Sequence, residues 1–190
     1  MDTVNILICG VGGQGVLLAG DIIAEAAIAA GFDAKKSEVH GMAQRGGSVV
    51  SHVRYGQKVN SPLIQQGTAD VILSFEEMET ARYLDFLKSG GTAVINRQQV
   101  MPMTVATGAA EYPQDIVEQI KKQGVKVVVC DGVKLAEQAG SAKTINIVLL
   151  GALSKHLNLP AEKWIETIAG RVPPKTVEMN KKAFELGREG

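Results

Sequence analysis

Gly10, Gly12 and Gly15 stand in the stretch GVGGQG, directly after the apolar run VNILIC. Their spacing is G-x-G-x-x-G, which turns a strand tightly into a helix and lets a phosphate approach bare backbone. Such a turn aims backbone N–H groups and the positive end of a helix dipole at an anion. The spacing alone is a weak signal, and Gly13 and Gln14 are additions to it. Gln14 sets an amide beside the helix start, where it meets a ligand or partner chain or faces solvent. A nicotinamide dinucleotide site also calls for an acid about 20 residues further on, to hold the ribose. That region offers Asp33 ahead of the strand, then Lys35, Lys36 and Glu38. The lysines suit a phosphorylated ribose, as in NADP or coenzyme A, or they are solvated surface charges. No G-x-x-x-x-G-K-[ST] loop is present.

A second stretch, SEVHGMAQRGGS (residues 37–48), gathers Glu38, His40, Gln44 and Arg45 among glycines. A loop after the second strand of a doubly wound sheet lies near the first glycine turn, so both stretches are expected on one edge. Arg45 would hold a phosphate or carboxylate through its forked donors. Gly46 and Gly47 permit close backbone approach. Catalytic and metal readings find little to rest on. His40, His52 and His156 show no H-x-x-x-H or H-E-x-x-H spacing, and no G-x-S-x-G elbow occurs. Cys9 and Cys130 each end a strand-like run, too far apart for an iron–sulfur run or a zinc ribbon, and read as buried structural thiols. Met42, Met101 and Met103 read as core residues or as an apolar partner surface. No catalytic residue and no metal ligand is therefore assigned.

The elements that must position these stretches follow from periodicity. Residues 4–9 read as a buried strand and residues 14–30 as a helix closed by Gly31. DAKKSEV and residues 48–55 read as strands, with YGQKV as a hairpin turn that would make part of the sheet antiparallel. SPLIQQGTA is a connector. DVILSF is a strand, EEMETARYLDFLK a helix ended by SGG, and TAVIN the next strand. A short strand is expected around residues 103–106. PQDIVEQIKKQG is a helix with Pro near its start and Gly past its end. VKVVVCD is a strand, followed by four helical segments to the C-terminus. Alternating strands and helices predict an α/β fold: a Rossmann-like, doubly wound, mostly parallel sheet with helices on both faces. A C-terminal helical extension is expected to pack on it. One domain is expected, with an α/β core to about residue 157 and the extension over residues 158–190.

Totals bound the rest. The chain has 190 residues, 45% of them apolar, which supports a substantial core. Net charge is zero and aromatics are 4%, so neither a nucleic-acid surface nor a stacking platform is indicated. No run reaches membrane-spanning length, and the start lacks the cationic region of a signal peptide. A cytoplasmic location is the expectation.

Four stretches together carry a resemblance: GVGGQGVLLAGDIIAEAA, SEVHGMAQRGGSVVSHVR, ADVILSFEEMETARYL and NIVLLGALS. In this order they resemble the gamma-type subunits of the 2-oxoacid:ferredoxin oxidoreductases, over residues 4–154. GMAQRGGSVVSHVR is most similar to the beta subunit of the indolepyruvate type. The resemblance implies oxidative decarboxylation of arylpyruvates to aryl-acetyl-CoA, with ferredoxin as the acceptor of the complex. It implies a large alpha subunit holding thiamine diphosphate, magnesium and iron–sulfur clusters. This chain lacks the G-D-G…N-N metal–diphosphate signature and any cysteine cluster, which agrees with that division. The isolated chain is expected to be inactive and to bind no cofactor tightly, and its self-association stays open. Coenzyme A is implied as a shared substrate, enclosed by Gly10, Gly12, Gly13, Gln14 and Gly15 and by Gln44, Arg45, Gly46 and Gly47. The same loops could instead contact the alpha subunit, and an NAD(P)-binding oxidoreductase or a purely structural assembly subunit remain the alternatives.

Overall fold

A computed structural model describes residues 3–40 and 47–190. Its strands are β1 (Val4–Val11), β2 (Asp33–His40), β3 (Ser48–Gly56), β4 (Ala69–Ser74), β5 (Leu87–Asn96) and β6 (Lys126–Cys130). The helices are α1 (Val16–Ala29), α2 (Glu77–Arg82), α3 (Met103–Ala106) and α4 (Ile116–Lys122). They continue with α5 (Gly132–Ala139), α6 (Ile145–Ser154), α7 (Ala161–Arg171) and α8 (Val177–Glu189). One sheet holds all six strands in the order β2-β3-β1-β4-β5-β6. β1, β4, β5 and β6 run parallel, and β3 is antiparallel to both of its neighbours.

Alternation along β1 divides the core. Ile6 and Ile8 face α1, α5, α6 and the helices behind them. Leu7 and Cys9 face the opposite side with Val50, Ile64 and Ile72. Ala93 and Ile95 on that second face meet Ile116 and Ile120 of α4. Both faces of the central strands are covered, which is why they read as continuous apolar runs. No helix among the described residues is long and apolar enough to cross a membrane.

The structure bears out the α/β reading and corrects four details. The antiparallel strand is there, but its hairpin joins β2 to β3 (His40 opposite Val49), and the chain after YGQKV forms no strand until β4. Asp33 accepts the Val59 N–H at 2.8 Å, and Arg54 donates to the Ser61 and Leu63 carbonyls at 2.8 and 3.2 Å. These bonds fold the connector back against β2 and β3. Second, α2 ends at Arg82, and the expected helix end and SGG instead open β5. Leu87 pairs with Ala69 and Thr92 with Val71, so the extra residues form an irregularity that Gly90 accommodates at φ 75°. Third, residues 103–106 form a helical turn closed on the Pro102 carbonyl. Fourth, α7 packs on α1, and α8 packs on α6 and α5, so these helices form a layer behind the helices that cover the sheet.

That outer layer depends on one close crossing. A Cβ on Gly151 of α6 would stand 2.1 Å from the Phe184 carbonyl oxygen, and one on Gly187 of α8 1.9 Å from the Val148 carbonyl oxygen. Backbone therefore meets backbone, and Phe184 stacks on Trp164 of α7 at 6.0 Å. Gly151→Ala must push α6 and α8 apart and is expected to cost about 2–3 kcal/mol, read from urea unfolding. A loss below about 0.5 kcal/mol, the range of an ordinary surface substitution, would contradict that crossing.

His52, in β3, is buried and accepts the Ile64 N–H on Nδ1 at 3.2 Å. Burial pulls its pKa below the ordinary 6.5. The unfolded chain therefore protonates first, so stability is constant above that value and falls as pH drops through it. His156, also lowered, adds to the same slope. Urea midpoints from pH 8 to 5 should show the fall, and His52→Gln should flatten it; equal slopes would exclude His52 as a source.

Candidate functional site

The glycine turn lies at the C-terminal end of β1. Gly10 is bare because its neighbours leave no room: a Cβ would stand 2.8 Å from Phe75 Cβ and 2.9 Å from Gln14 Oε1. Gly13 and Gly15 sit at φ 100° and 90°, where other residues are strained. A Cβ on Gly13 would meet nothing within 4 Å among the described residues. Gly15 is the N-cap of α1 and carries no side chain to cap it. The Gly12 N–H donates to the Gly47 carbonyl at 2.9 Å and the Gln14 N–H to the Val11 carbonyl at 3.1 Å. Ala19 is the first helix residue to bond back, to Gly15 at 3.0 Å. The N–H groups of Val16, Leu17 and Leu18 have no partner among the described residues. Three unpartnered amides at the positive end of a helix of 14 residues suit an anion.

Gln14 is turned inward, not out to solvent. Its Oε1 accepts the Val11 N–H at 2.7 Å, and its Nε2 donates to the Phe75 carbonyl and to Gln98 Oε1, both at 3.3 Å. Asn96 donates to the same two acceptors at 3.1 and 3.0 Å, and its Oδ1 takes the Gly132 N–H at 3.1 Å. This chain of carboxamides ties the ends of β1, β4 and β5 to the start of α5. It spans the ends of β1 and β4, where the chain switches direction in the sheet.

Of the second stretch, Gly47 is brought to the turn through its bond to Gly12, so the two stretches meet on one edge. Gln44, Arg45 and Gly46 lie outside the described residues, as do Met42 and the side chain of His40. Ser48, the first residue of β3, donates to Glu79 and stands 3.1 Å from the Tyr83 hydroxyl. Glu76 is fully buried and accepts the Glu79 and Val100 N–H groups at 2.9 and 3.1 Å and the Tyr112 hydroxyl. Burial and that carboxylate push the Tyr112 hydroxyl far above its usual range. These acids are consumed in capping α2 and holding the connector after β5.

Neither cysteine is poised for reaction. Both are buried and free; burial drives the Cys9 thiol up to about 12 and the Cys130 thiol up to about 11. No group of three His, Cys, Asp or Glu side chains among the described residues is placed to hold a metal ion. Met101 and Met103 are exposed rather than in the core.

Sequence reasoning missed Asn146. It stands in the first turn of α6, and a Cβ on Gly15 would lie 3.2 Å from its Nδ2. The side chain is buried, and its Oδ1 accepts the Ile147 N–H at 3.0 Å. NIVLLGALS carried the residue, but nothing in the spacing pointed to contact with a turn 130 positions earlier.

The family model described as pyruvate ferredoxin/flavodoxin oxidoreductase matches residues 5–190. The chain is 45% identical to indolepyruvate oxidoreductase subunit IorB of Thermococcus kodakarensis, over 98% of this chain and 95% of that one. Among solved structures it is similar to the keto/oxoacid ferredoxin oxidoreductase gamma subunit of Geobacter sulfurreducens (TM-score 0.72, 28% identity, 98% and 96% of the two chains). Its fold also matches 2-oxoglutarate:ferredoxin oxidoreductase of Magnetococcus marinus (TM-score 0.76, 24% identity). There it spans 100% of this chain but 31% of the other. The chain therefore belongs to the pyruvate ferredoxin/flavodoxin oxidoreductase family, as a subunit of the indolepyruvate oxidoreductase type.

Proposed function

We propose that this chain is the smaller, non-catalytic subunit of a ferredoxin-dependent arylpyruvate oxidoreductase, working as a single gamma-type domain. In the assembled complex it binds a large alpha subunit and helps form the site for coenzyme A. The observation that carries this is the glycine turn, with three unpartnered amides at the start of α1 and Gly47 drawn against Gly12. Coenzyme A presents a diphosphate of the charge and shape such a turn accepts. The Magnetococcus enzyme is described with coenzyme A and succinyl-CoA bound, which supports the same ligand here.

Thiamine diphosphate, magnesium and iron–sulfur clusters belong to the partner in this reading. The donor set here does not fit them: two buried thiols on separate strands, both driven toward the protonated form. This chain's share is positional. The amides of Val16, Leu17 and Leu18 hold the diphosphate, and the Gln14 bracket keeps strand ends and helix start in register. Arg45 supplies a forked cation to the same ligand. Fixing coenzyme A in one pose makes the acyl transfer effectively intramolecular.

Steady-state kinetics of the complex test this. Gly13→Asp puts a carboxylate into the turn, and Arg45→Ala removes the fork. Each is expected to raise KM for coenzyme A about tenfold or more, one charge contact's worth, while decarboxylation without coenzyme A changes little. Unchanged KM values with normal assembly would leave only the role of assembly subunit. The NAD(P) reading is disfavoured because Asp33, the acid nearest the fingerprint distance, opens β2 and is taken by the Val59 N–H and Lys35. Titration with NADH and NADPH should show no saturable binding, and micromolar binding of either would overturn that conclusion.

A further inference from the structure

Glu79, in α2, is only 3% exposed, so a carboxylate is held almost wholly out of water. Burying such a group is costly unless hydrogen bonds meet it. Its Oε1 accepts Arg82 Nε at 3.1 Å, and its Oε2 accepts the Ser48 hydroxyl. Ser48 uses its one proton on Glu79, so the Tyr83 hydroxyl, 3.1 Å away, is the donor to Ser48 Oγ. The main chain of Glu79 meets the neighbouring strand as well. Its carbonyl oxygen stands 3.6 Å from Cys9 Sγ.

Both contacts fall at the glycine turn. Cys9 directly precedes Gly10 on β1. Ser48 directly follows Gly47, whose carbonyl holds the Gly12 N–H at 2.9 Å. Val11 and Ser48 stand opposite each other in the β1–β3 ladder. One residue of α2 thus touches the strand that enters the turn and the strand start that fastens it. The bond from Ser48 to a carboxylate is charge-assisted, which makes it stronger than one to a neutral amide.

We propose that Glu79 is a positioning residue: through Ser48 it fixes Gly47 against Gly12, and so sets the glycine turn in the pose that receives coenzyme A. It acts through Ser48 and Gly47 and is assigned no contact with the ligand. The effect on coenzyme A rests on the site proposed above; the hold on Gly12 does not.

Two readouts test this. In the assembled complex, Glu79→Gln removes the charge and Ser48→Ala the hydroxyl. Each is expected to raise KM for coenzyme A about fivefold with kcat little changed, the worth of one ordinary hydrogen bond. Ser48→Thr keeps the hydroxyl and should keep the original KM. In the full chain alone, followed by NMR, Ser48→Ala should speed deuterium exchange of the Gly12 amide at least about fivefold. Gly13→Asp is the reference for the site itself. If it raises KM while Glu79→Gln and Ser48→Ala do not, the positioning role falls and the coenzyme A reading stands. A loss of kcat in step with the rise in KM, or Ser48→Thr as impaired as Ser48→Ala, also overturns the positioning role. If no variant moves KM, the coenzyme A reading falls, and exchange at Gly12 alone decides: faster exchange supports the hold on the turn, and unchanged exchange overturns it.

Discussion

The Gln14 carboxamide accepts the Val11 N–H at 2.7 Å and returns two bonds to the ends of β4 and β5. Each such bond stabilises by only about 1 kcal/mol, but losing the acceptor leaves a half-buried backbone donor unmet, at about 1–3 kcal/mol. Gly10 belongs to the same device, because a side chain there would collide with Gln14 Oε1 and Phe75. The glycine is bare so that the glutamine can fold back. Once it has, the ends of β1, β4 and β5 are tied together beside the start of α1.

Much of the fold was legible because the central strands are buried on both faces. VNILIC, DVILSF and TAVIN are apolar throughout, and helices of regular period separate them. What was not legible depended on contacts distant in sequence. KSGG looks like a helix stop, yet Ala69 and Asp70 on the neighbouring strand recruit it into β5; Lys88 pairs with Asp70. YGQKV looks like a hairpin turn, yet Asp33 and Arg54 capture the chain that follows it. In both places local turn chemistry competes with tertiary bonds and loses.

The site divides in the same way. The glycine turn was readable because its residue types follow from backbone geometry, and Gly13 and Gly15 do take positive φ. The direction of Gln14 was not readable, since either choice is sterically open until Phe75 and Gln98 are in place. Asn146 and Asn180 were invisible for a related reason. Each sits in a helix that reads as packing, and only the folded chain brings the two to one groove. The contact between the two irregular stretches was anticipated from topology, and among the described residues the bond from Gly12 to Gly47 realises it.

The outer helices then carry more than stability. α6 and α8 cross with backbone against backbone at Gly151 and Gly187, which fixes their separation to within the size of a methyl group. The first turns of these same two helices carry Asn146 and Asn180. A larger residue at the crossing would therefore widen the groove as well as weaken the fold. Ser154 adds a second constraint there: it donates to the Gly151 carbonyl at 2.7 Å and accepts Arg188 Nη1 at 2.8 Å. Arg188 in turn lies over the Phe184 ring. The glycines of the turn make room for Gln14, Phe75 and Asn146, and the glycines of the crossing set how closely α6 and α8 approach. Small residues in this chain thus do one physical job twice, by letting backbone approach something that a side chain would hold off.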